Sequence, residues 1–252
     1  MAFEVKPMRT GSPLLALMIL AVLIAGAAPP AAAVGVTFSY FVPRNGSFSH
    51  PVSPLSIRDI GVPLGRYLGL SGSLSLYGIA GMGITDAAGT PLELEGPAVG
   101  PFHSLLGSVA GKIILPIMIR QVLRGELAGH GGVFGCYNLR PQLVSGTFER
   151  YLAATAPGGP YAAVTASIRG DGRWGWGWLF GGTATWYPVS QIGLTLGALY
   201  YLGGADLLLS GSYDAYRAGG SEVTGQPLPV ELRGARLDYS GLELLIGVSF
   251  QL

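Results

Sequence analysis

The chain has 252 residues, 49% of them hydrophobic and only 12% charged, with a mean hydropathy of +0.46. Water-facing domains carry about 25% charged residues, so this surface is too apolar to meet water all round. With 15 Lys and Arg against 14 Asp and Glu there is no field to attract nucleic acid, one Cys excludes a disulfide scaffold or a Cys-based zinc site, and 41 Gly argue against a helical bundle or a soluble α/β core.

The first element is an address. Lys6 and Arg9 precede an uncharged apolar run from Leu14 to Ala28, followed by Pro29-Pro30 and Ala31-Ala32-Ala33. A positive start, an apolar centre and a small-residue site describe a secretory signal peptide over 1–33, with cleavage expected between Ala33 and Val34. The run is short of the ~20 residues of a membrane-spanning helix. Its removal takes away Lys6, Arg9 and Glu4 and leaves a formally neutral chain, 34–252.

Beyond the leader the sequence alternates with period two. Leu68, Leu70, Leu74, Leu76, Ala80, Met82 and Ile84 alternate with Gly69, Ser71, Ser73, Ser75, Tyr77 and Gly81, and neither face of 68–84 carries a charge. Strict alternation makes a strand with one greasy and one small or hydroxylated face; rolled as a helix, it would scatter serines among leucines. Trp174, Trp176, Trp178, Phe180 and Trp186 share a face against Gly175, Gly177, Gly181, Thr183 and Thr185. Ile192 to Gly203 and Gly241 to Leu252 repeat the pattern. The alternation predicts strands near 34–43, 66–85, 102–116, 126–139, 160–169, 174–187, 191–203 and 235–252. With eight strands both ends lie on the periplasmic side, and 44–65, 117–125, 170–173 and 204–234 become outer loops. The segments 86–101 and 140–159 are then long for periplasmic turns. Ten strands, with further pairs drawn from 113–123 and 142–152, is therefore an alternative. Pro116 cannot donate to a ladder and is expected at a bulge or a strand end.

A wide greasy face opposite a face of small residues predicts an all-β, closed antiparallel transmembrane barrel, because an open sheet edge cannot sit in hydrocarbon. Trp174 and Trp186-Tyr187 bracket a strand of roughly 30 Å at ~3.3 Å per residue and ~40° tilt, close to the gap between aromatic girdles. A soluble lipocalin-like binding barrel would reverse the faces, greasy in and charged out.

The signal peptide, the alternating strands and the ending Gly247-Val248-Ser249-Phe250-Gln251-Leu252 resemble the small outer-membrane β-barrels of the OmpA, OmpX and OmpW type. The resemblance implies the outer membrane of a diderm bacterium and an assembly signal at Gly247, Phe250 and Leu252, read by the outer-membrane insertion machinery. The last residue is Leu where an aromatic is usual, and Leu245 stands where a polar residue is expected.

Lys112, His130 and Glu243 fall on the face opposite the lipid-facing run, each about eight or nine residues from the expected periplasmic end, with Glu126 higher on the face of His130. They are expected to form a lumenal polar cluster in which Lys112 pairs with Glu243, since an ammonium inside a barrel needs an acid or several acceptors. Arg169-Gly170-Asp171 spells a tripeptide some host receptors bind. Gly170-Asp171-Gly172 is also what a tight hairpin between 160–169 and 174–187 requires. A lipid-modifying enzyme with His and Ser two apart on one strand face is not found: His50 is followed by Val52, His103 by Leu105 and His130 by Gly132. The expected function is passive: a narrow or occluded channel, or a structural or surface-exposed barrel, and not an enzyme. The alternatives are an adhesin or binding protein acting through outer loops, a soluble binding barrel, and an outer-membrane lipid enzyme. No cofactor or metal is implied. The expected partners are outer-membrane lipids, lipopolysaccharide or its equivalent, and the assembly machinery, with the barrel as a monomer.

Overall fold

The computed structural model describes residues 33–44, 52–85, 94–119, 123–218, 223, 226–232 and 234–251. The expected leader lies outside them except for Ala33, and Leu252 also lies outside. The described elements are, in order, β1 (Ala33–Pro43), β2 (Val52–Pro63), β3 (Leu68–Ile79), β4 (Ile84–Thr85), β5 (Phe102–Ile119), β6 (Leu123–Leu139), α1 (Ser145–Thr155), β7 (Ala163–Asp171), β8 (Trp174–Val189), β9 (Ile192–Asp206), β10 (Leu208–Tyr216), β11 (Leu228–Leu232), β12 (Arg236–Asp238) and β13 (Gly241–Gln251).

Eight of these strands close a barrel in the order β1-β2-β3-β5-β6-β8-β9-β13, antiparallel throughout, with β13 pairing back to β1. Closure leaves the greasy residues outside. Val36, Phe38, Leu74, Leu76, Ile113, Leu127, Trp178, Phe180, Leu196 and Ile246 are all exposed, whereas their neighbours Thr37, Ser39, Ser75, Thr183, Thr195 and Leu245 are buried within. The inner wall is built tight. A Cβ at Gly132 would lie 2.1 Å from the Val109 carbonyl oxygen, and one at Gly247 would meet Val36 and Thr37 at 2.4 Å.

The strands are strongly tilted, and their register measures it. From Ile113 the paired residues run through Gly129, Gly182, Ala198, Leu244, Tyr40, Val52 and Gly78, and return to β5 at His103, ten residues from the start. A row of hydrogen-bonded partners therefore climbs by ten residues around the barrel, the stagger that closure demands.

One end carries Ala33, Gln251, the short connections 64–67 and 190–191, and the paired end of β5 and start of β6; it is termed the turn end. The other, the loop end, carries Arg44, 80–85, 94–101, 140–173 and the described residues between 207 and 240. There β12 and β4 extend the wall beyond β9, and β7, β10 and β11 form a separate three-stranded sheet. Helix α1 packs on β7, with Glu149 Oε1 accepting from the Ala166 N–H at 3.1 Å. Phe148 and Leu152, one turn apart, are buried in two different cores: Phe148 in the core that rises from the barrel interior, Leu152 in that of the lobe, with Val164, Tyr213, Ala215 and Val230. Pro157 follows directly and ends the helical run.

The strand count of eight holds, but through two compensating differences. Residues 52–63 form β2 rather than an outer loop, and 163–171 form β7 of the lobe rather than a barrel strand. The omitted strand inverts β3, β5 and β6 relative to expectation, and the added one restores the direction from β8 onward. Hence the end of β5 and the start of β6 lie at the turn end, while 94–101 and 140–159 belong to the loop end, where long connections are ordinary. The ten-strand alternative fails, because 113–119 continues β5 and 145–155 is α1. Pro116 pairs with Glu126 of β6 in a stretch of β5 that runs past its last β3 partner, so its missing N–H falls on a free edge. Arg169, Gly170 and Asp171 end β7, paired with Ser210, Leu209 and Leu208 of β10, and no hairpin joins β7 to β8. Gly170 and Gly172 serve close packing instead of a turn: a Cβ at either would meet Leu207 and its neighbours at about 3 Å.

Candidate functional site

The lumen divides into two halves of different chemistry. Toward the loop end it is filled. Phe41 packs edge-on to Tyr77 and Tyr201, with ring centroids 6.1 and 5.8 Å away, and Phe134 meets Tyr201 at 5.0 Å. Above them Met82, Val99, Phe148 and Leu237 continue the same core into the loop-end connections, all essentially inaccessible. Within this apolar half sits one ion pair, Arg58 with Glu243, the carboxylate fully buried. Glu243 also accepts from the Tyr77 hydroxyl and, at 2.8 Å, from the Tyr201 hydroxyl. Arg58 Nη2 reaches Ser75 Oγ at 3.4 Å. A buried carboxylate survives only with such a full set of donors. A second buried group closes the rim: the Tyr239 hydroxyl meets Asn138 Oδ1 and, at 2.8 Å, Ser104 Oγ, while Asn138 donates to the Gly172 carbonyl at 2.6 Å. Burial pushes the Tyr239 phenol well above its ordinary pKa.

Toward the turn end the lumen is polar and open. Lys112 Nζ lies 3.1 Å from Glu126 Oε1 and 3.4 Å from Asp59 Oδ1, and all three line a cavity of about 290 Å³ with Ser71, Tyr187 and Gln251. His130 Nε2 meets Thr183 Oγ1 at 2.9 Å. Hydroxyl ladders cover the wall, Thr185 to Thr195 at 3.0 Å and Thr195 to Ser249 at 2.6 Å. Between the halves lies a cavity of about 30 Å³, lined by Arg58, Asp59, His130 and Thr183 among others, room for little more than one water.

All four residues expected in the lumen face inward, but they do not form one cluster. The expected pair of Lys112 with Glu243 is replaced by two separate sites. The tilt explains it. Lys112, His130, Gly181, Leu199 and Glu243 share one register row. Glu243 lies four strands along that climbing row, about five residues or roughly 15 Å of strand nearer the loop end. Glu126, expected above His130, lies below it toward the turn end, because β6 runs opposite to expectation.

No protein-family model matches the sequence, and neither does any curated protein. Solved structures do match. The crystal structure of the outer membrane protein OprG from Pseudomonas aeruginosa aligns with 89% of this chain and 98% of its own at 9% identity, with a TM-score of 0.50. The fold is that of the small outer-membrane β-barrels. The solution structure of the E. coli outer membrane protein W covers 90% of this chain and all of its own at 11% identity and a TM-score of 0.43. For the Yersinia pestis attachment invasion locus protein Ail the crystal structure covers 87% of this chain and 95% of its own at 8% identity and a TM-score of 0.31.

In this small-barrel fold an eight-strand interior is just filled by side chains. The residues that fill it here include two that the alternation does not reveal, Arg58 and Asp59, whereas Tyr201 stands at an inward position of the regular strand β9. Leu55-Ser56-Ile57-Arg58 does alternate, but β2 is irregular: its register against β3 shifts between Val52 and Ser56 and again between Ile57 and Ile60, and Asp59 has φ +52°. The irregularity turns two consecutive residues, Arg58 and Asp59, into the lumen, one to each half, and period two cannot report that. In β13, Gly247 faces inward and Phe250 outward, and Leu245 is buried in the filled half.

Proposed function

We propose that the chain is an outer-membrane barrel with a passive role, an occluded wall-spanning support that holds a folded lobe at the cell surface. The carrying observation is the filled half of the lumen, where among the described residues Phe41, Tyr77, Phe134 and Tyr201 pack around the buried Arg58–Glu243 pair. The outer-membrane placement is supported by the small-barrel fold and by the outward face. From Val34 to Val42, Leu68 to Gly78, Trp174 to Trp186, Ile192 to Leu202 and Leu242 to Phe250, the outward positions carry no Asp, Glu, Lys or Arg. That is the solvent side a lipocalin-like barrel would have to charge. Short turns belong to the periplasmic side in such barrels, so the loop end, with α1 and the three-stranded sheet, faces outward.

Planar-bilayer recording tests the reading. The folded protein is expected to give no steady conductance; a long-lived open step would overturn occlusion. Fractionation and a gel of boiled against unboiled samples test the placement, and recovery as a soluble periplasmic protein without heat-modifiable mobility would remove it.

A binding role for the surface lobe is a second reading. It is favoured by an open groove of about 540 Å³ between the end of α1 and β10–β11, walled by Tyr151, Pro157, Tyr213 and Pro229. Adhesion through Arg169-Gly170-Asp171 has less support, because the three residues lie extended in a paired strand rather than at a loop tip.

A further inference from the structure

On the outside of the wall, at the loop end, β9 leaves a dent. Gly203 and Gly204 stand where β8, β9 and β12 converge, and a Cβ at Gly204 would lie 2.3 Å from the Leu237 carbonyl oxygen, so no side chain can fill the place. The result is a cavity of about 330 Å³ on the outer surface. One wall is apolar, built by Trp176, Trp178 and Leu202, all of them exposed on the lipid-facing side. The opposite wall is polar and carries Arg44 and Arg236 with Asp238.

The two arginines are placed by the backbone. The Arg44 N–H donates to the Ser240 carbonyl at 2.7 Å, fixing the end of β1 beside the dent. Arg236 is anchored more firmly: Nη2 donates to the Gly204 carbonyl at 3.0 Å, and Nε lies 2.9 Å from Asp206 Oδ1. A held guanidinium loses little freedom on binding a ligand, and its planar fork suits phosphate oxygens. Asp238 Oδ1 accepts from the Ser240 N–H at 2.9 Å. Tryptophan beside a cation at the rim of a lipid-facing wall is the arrangement of the headgroup level, apolar chains below and anions above.

We propose that this dent is a binding site for one phosphorylated lipid of the outer leaflet, its phosphate between Arg44 and Arg236 and its first acyl chain along Trp176, Trp178 and Leu202. The site rests on the outward direction of the loop end; its chemistry is independent of whether the lumen conducts. It requires a molecule that is anionic and greasy at once, which neither free phosphate nor an uncharged lipid supplies.

The test is native mass spectrometry of the folded chain in detergent, with three probes: diphosphorylated lipid A, the same lipid stripped of phosphate, and inorganic phosphate. A single retained lipid A is expected, with the dephosphorylated form held at least about tenfold more weakly, the worth of one charge-assisted contact. Arg44→Gln should weaken lipid A by about tenfold and Arg44→Glu by more. Arg44 is exposed at a strand end, so neither substitution threatens the fold, which the unboiled gel mobility checks. Arg236→Gln should act likewise. Arg124→Gln, an exposed cation at the turn end, should change nothing. Equal retention of the dephosphorylated lipid, no loss in the Arg44 variants, or an equal loss in Arg124→Gln would overturn the proposal. Displacement of lipid A by inorganic phosphate alone would make the ligand a free anion and overturn it too. Failure of the bilayer or fractionation experiments would leave these binding results unchanged, so the readings fail separately.

Discussion

The two halves of the lumen share one wall of small residues and the same strands, yet they treat charge in opposite ways. In the loop-end half, Arg58 and Glu243 are sealed among aromatic rings, and Glu243 needs both tyrosine hydroxyls besides its ion pair. In the turn-end half, Lys112, Asp59 and Glu126 line an open cavity and meet at 3.1 to 3.4 Å, distances that water can supplement. Burial decides how much a pair matters: a charge cut off from solvent has no substitute for a lost partner, while one at an open mouth does.

The strongest way to break this contrast is Glu243→Ala. It leaves the Arg58 guanidinium buried and unpaired, a loss expected near about 3–5 kcal/mol. The urea midpoint of the protein folded in lipid vesicles reads it, and Arg58→Leu added to Glu243→Leu should recover much of the loss. If the Glu243 single variant unfolds like the wild type, the sealed half is wetter than its packing implies. The same comparison bears on transport. On the proposed occluded reading, Glu243→Gln, which weakens the acceptor shared by Arg58, Tyr77 and Tyr201, should raise conductance, and a bilayer that stays silent would confine the pair to a structural role.

Next comes Leu152→Ala, which empties a site in the lobe's own core at an expected cost of about 2–4 kcal/mol. Protease sensitivity of the lobe should rise while the heat-modifiable mobility of the barrel stays the same. Loss of both together would mean that lobe and barrel fold as one unit through Phe148. Tyr77→Phe is milder. It removes one donor to Glu243 and should cost on the order of 1–2 kcal/mol, as a single hydrogen bond to a charged group does. The smallest effect is expected for Lys112→Met. Asp59 and Glu126 line a cavity that opens toward the turn end, so stability should fall by clearly less than for Glu243→Ala, and on the proposed occluded reading bilayer recordings should stay silent. A loss as large as that of Glu243→Ala would erase the distinction between the halves.

The alternation of Leu68 to Leu76, the tryptophans of 174–178 and the even positions of 242–250 each report a local rule, since successive side chains of any strand point to opposite faces. Past the end of β3 the rule fails, and Met82 and Ile84, expected outside, are buried in the core. The three patterns were enough to identify a closed wall with grease outside and small residues inside, and to place Lys112, Glu126, His130 and Glu243 in the lumen. Residues 52–63 hid their strand, because bulging and the left-handed Asp59 break the parity on which that rule depends. Residues 163–171 alternate well enough to pass for barrel wall, and only their pairing with β10 assigns them to the lobe. Which lumenal residues meet was decided by the tertiary structure alone. A ten-residue climb around the ring carries Glu243 away from Lys112 although the two share a register row, and delivers Arg58 to one and Asp59 to the other. Strand tilt is a property of the closed sheet as a whole, set by how eight strands must stagger to join, and no single strand's sequence carries it.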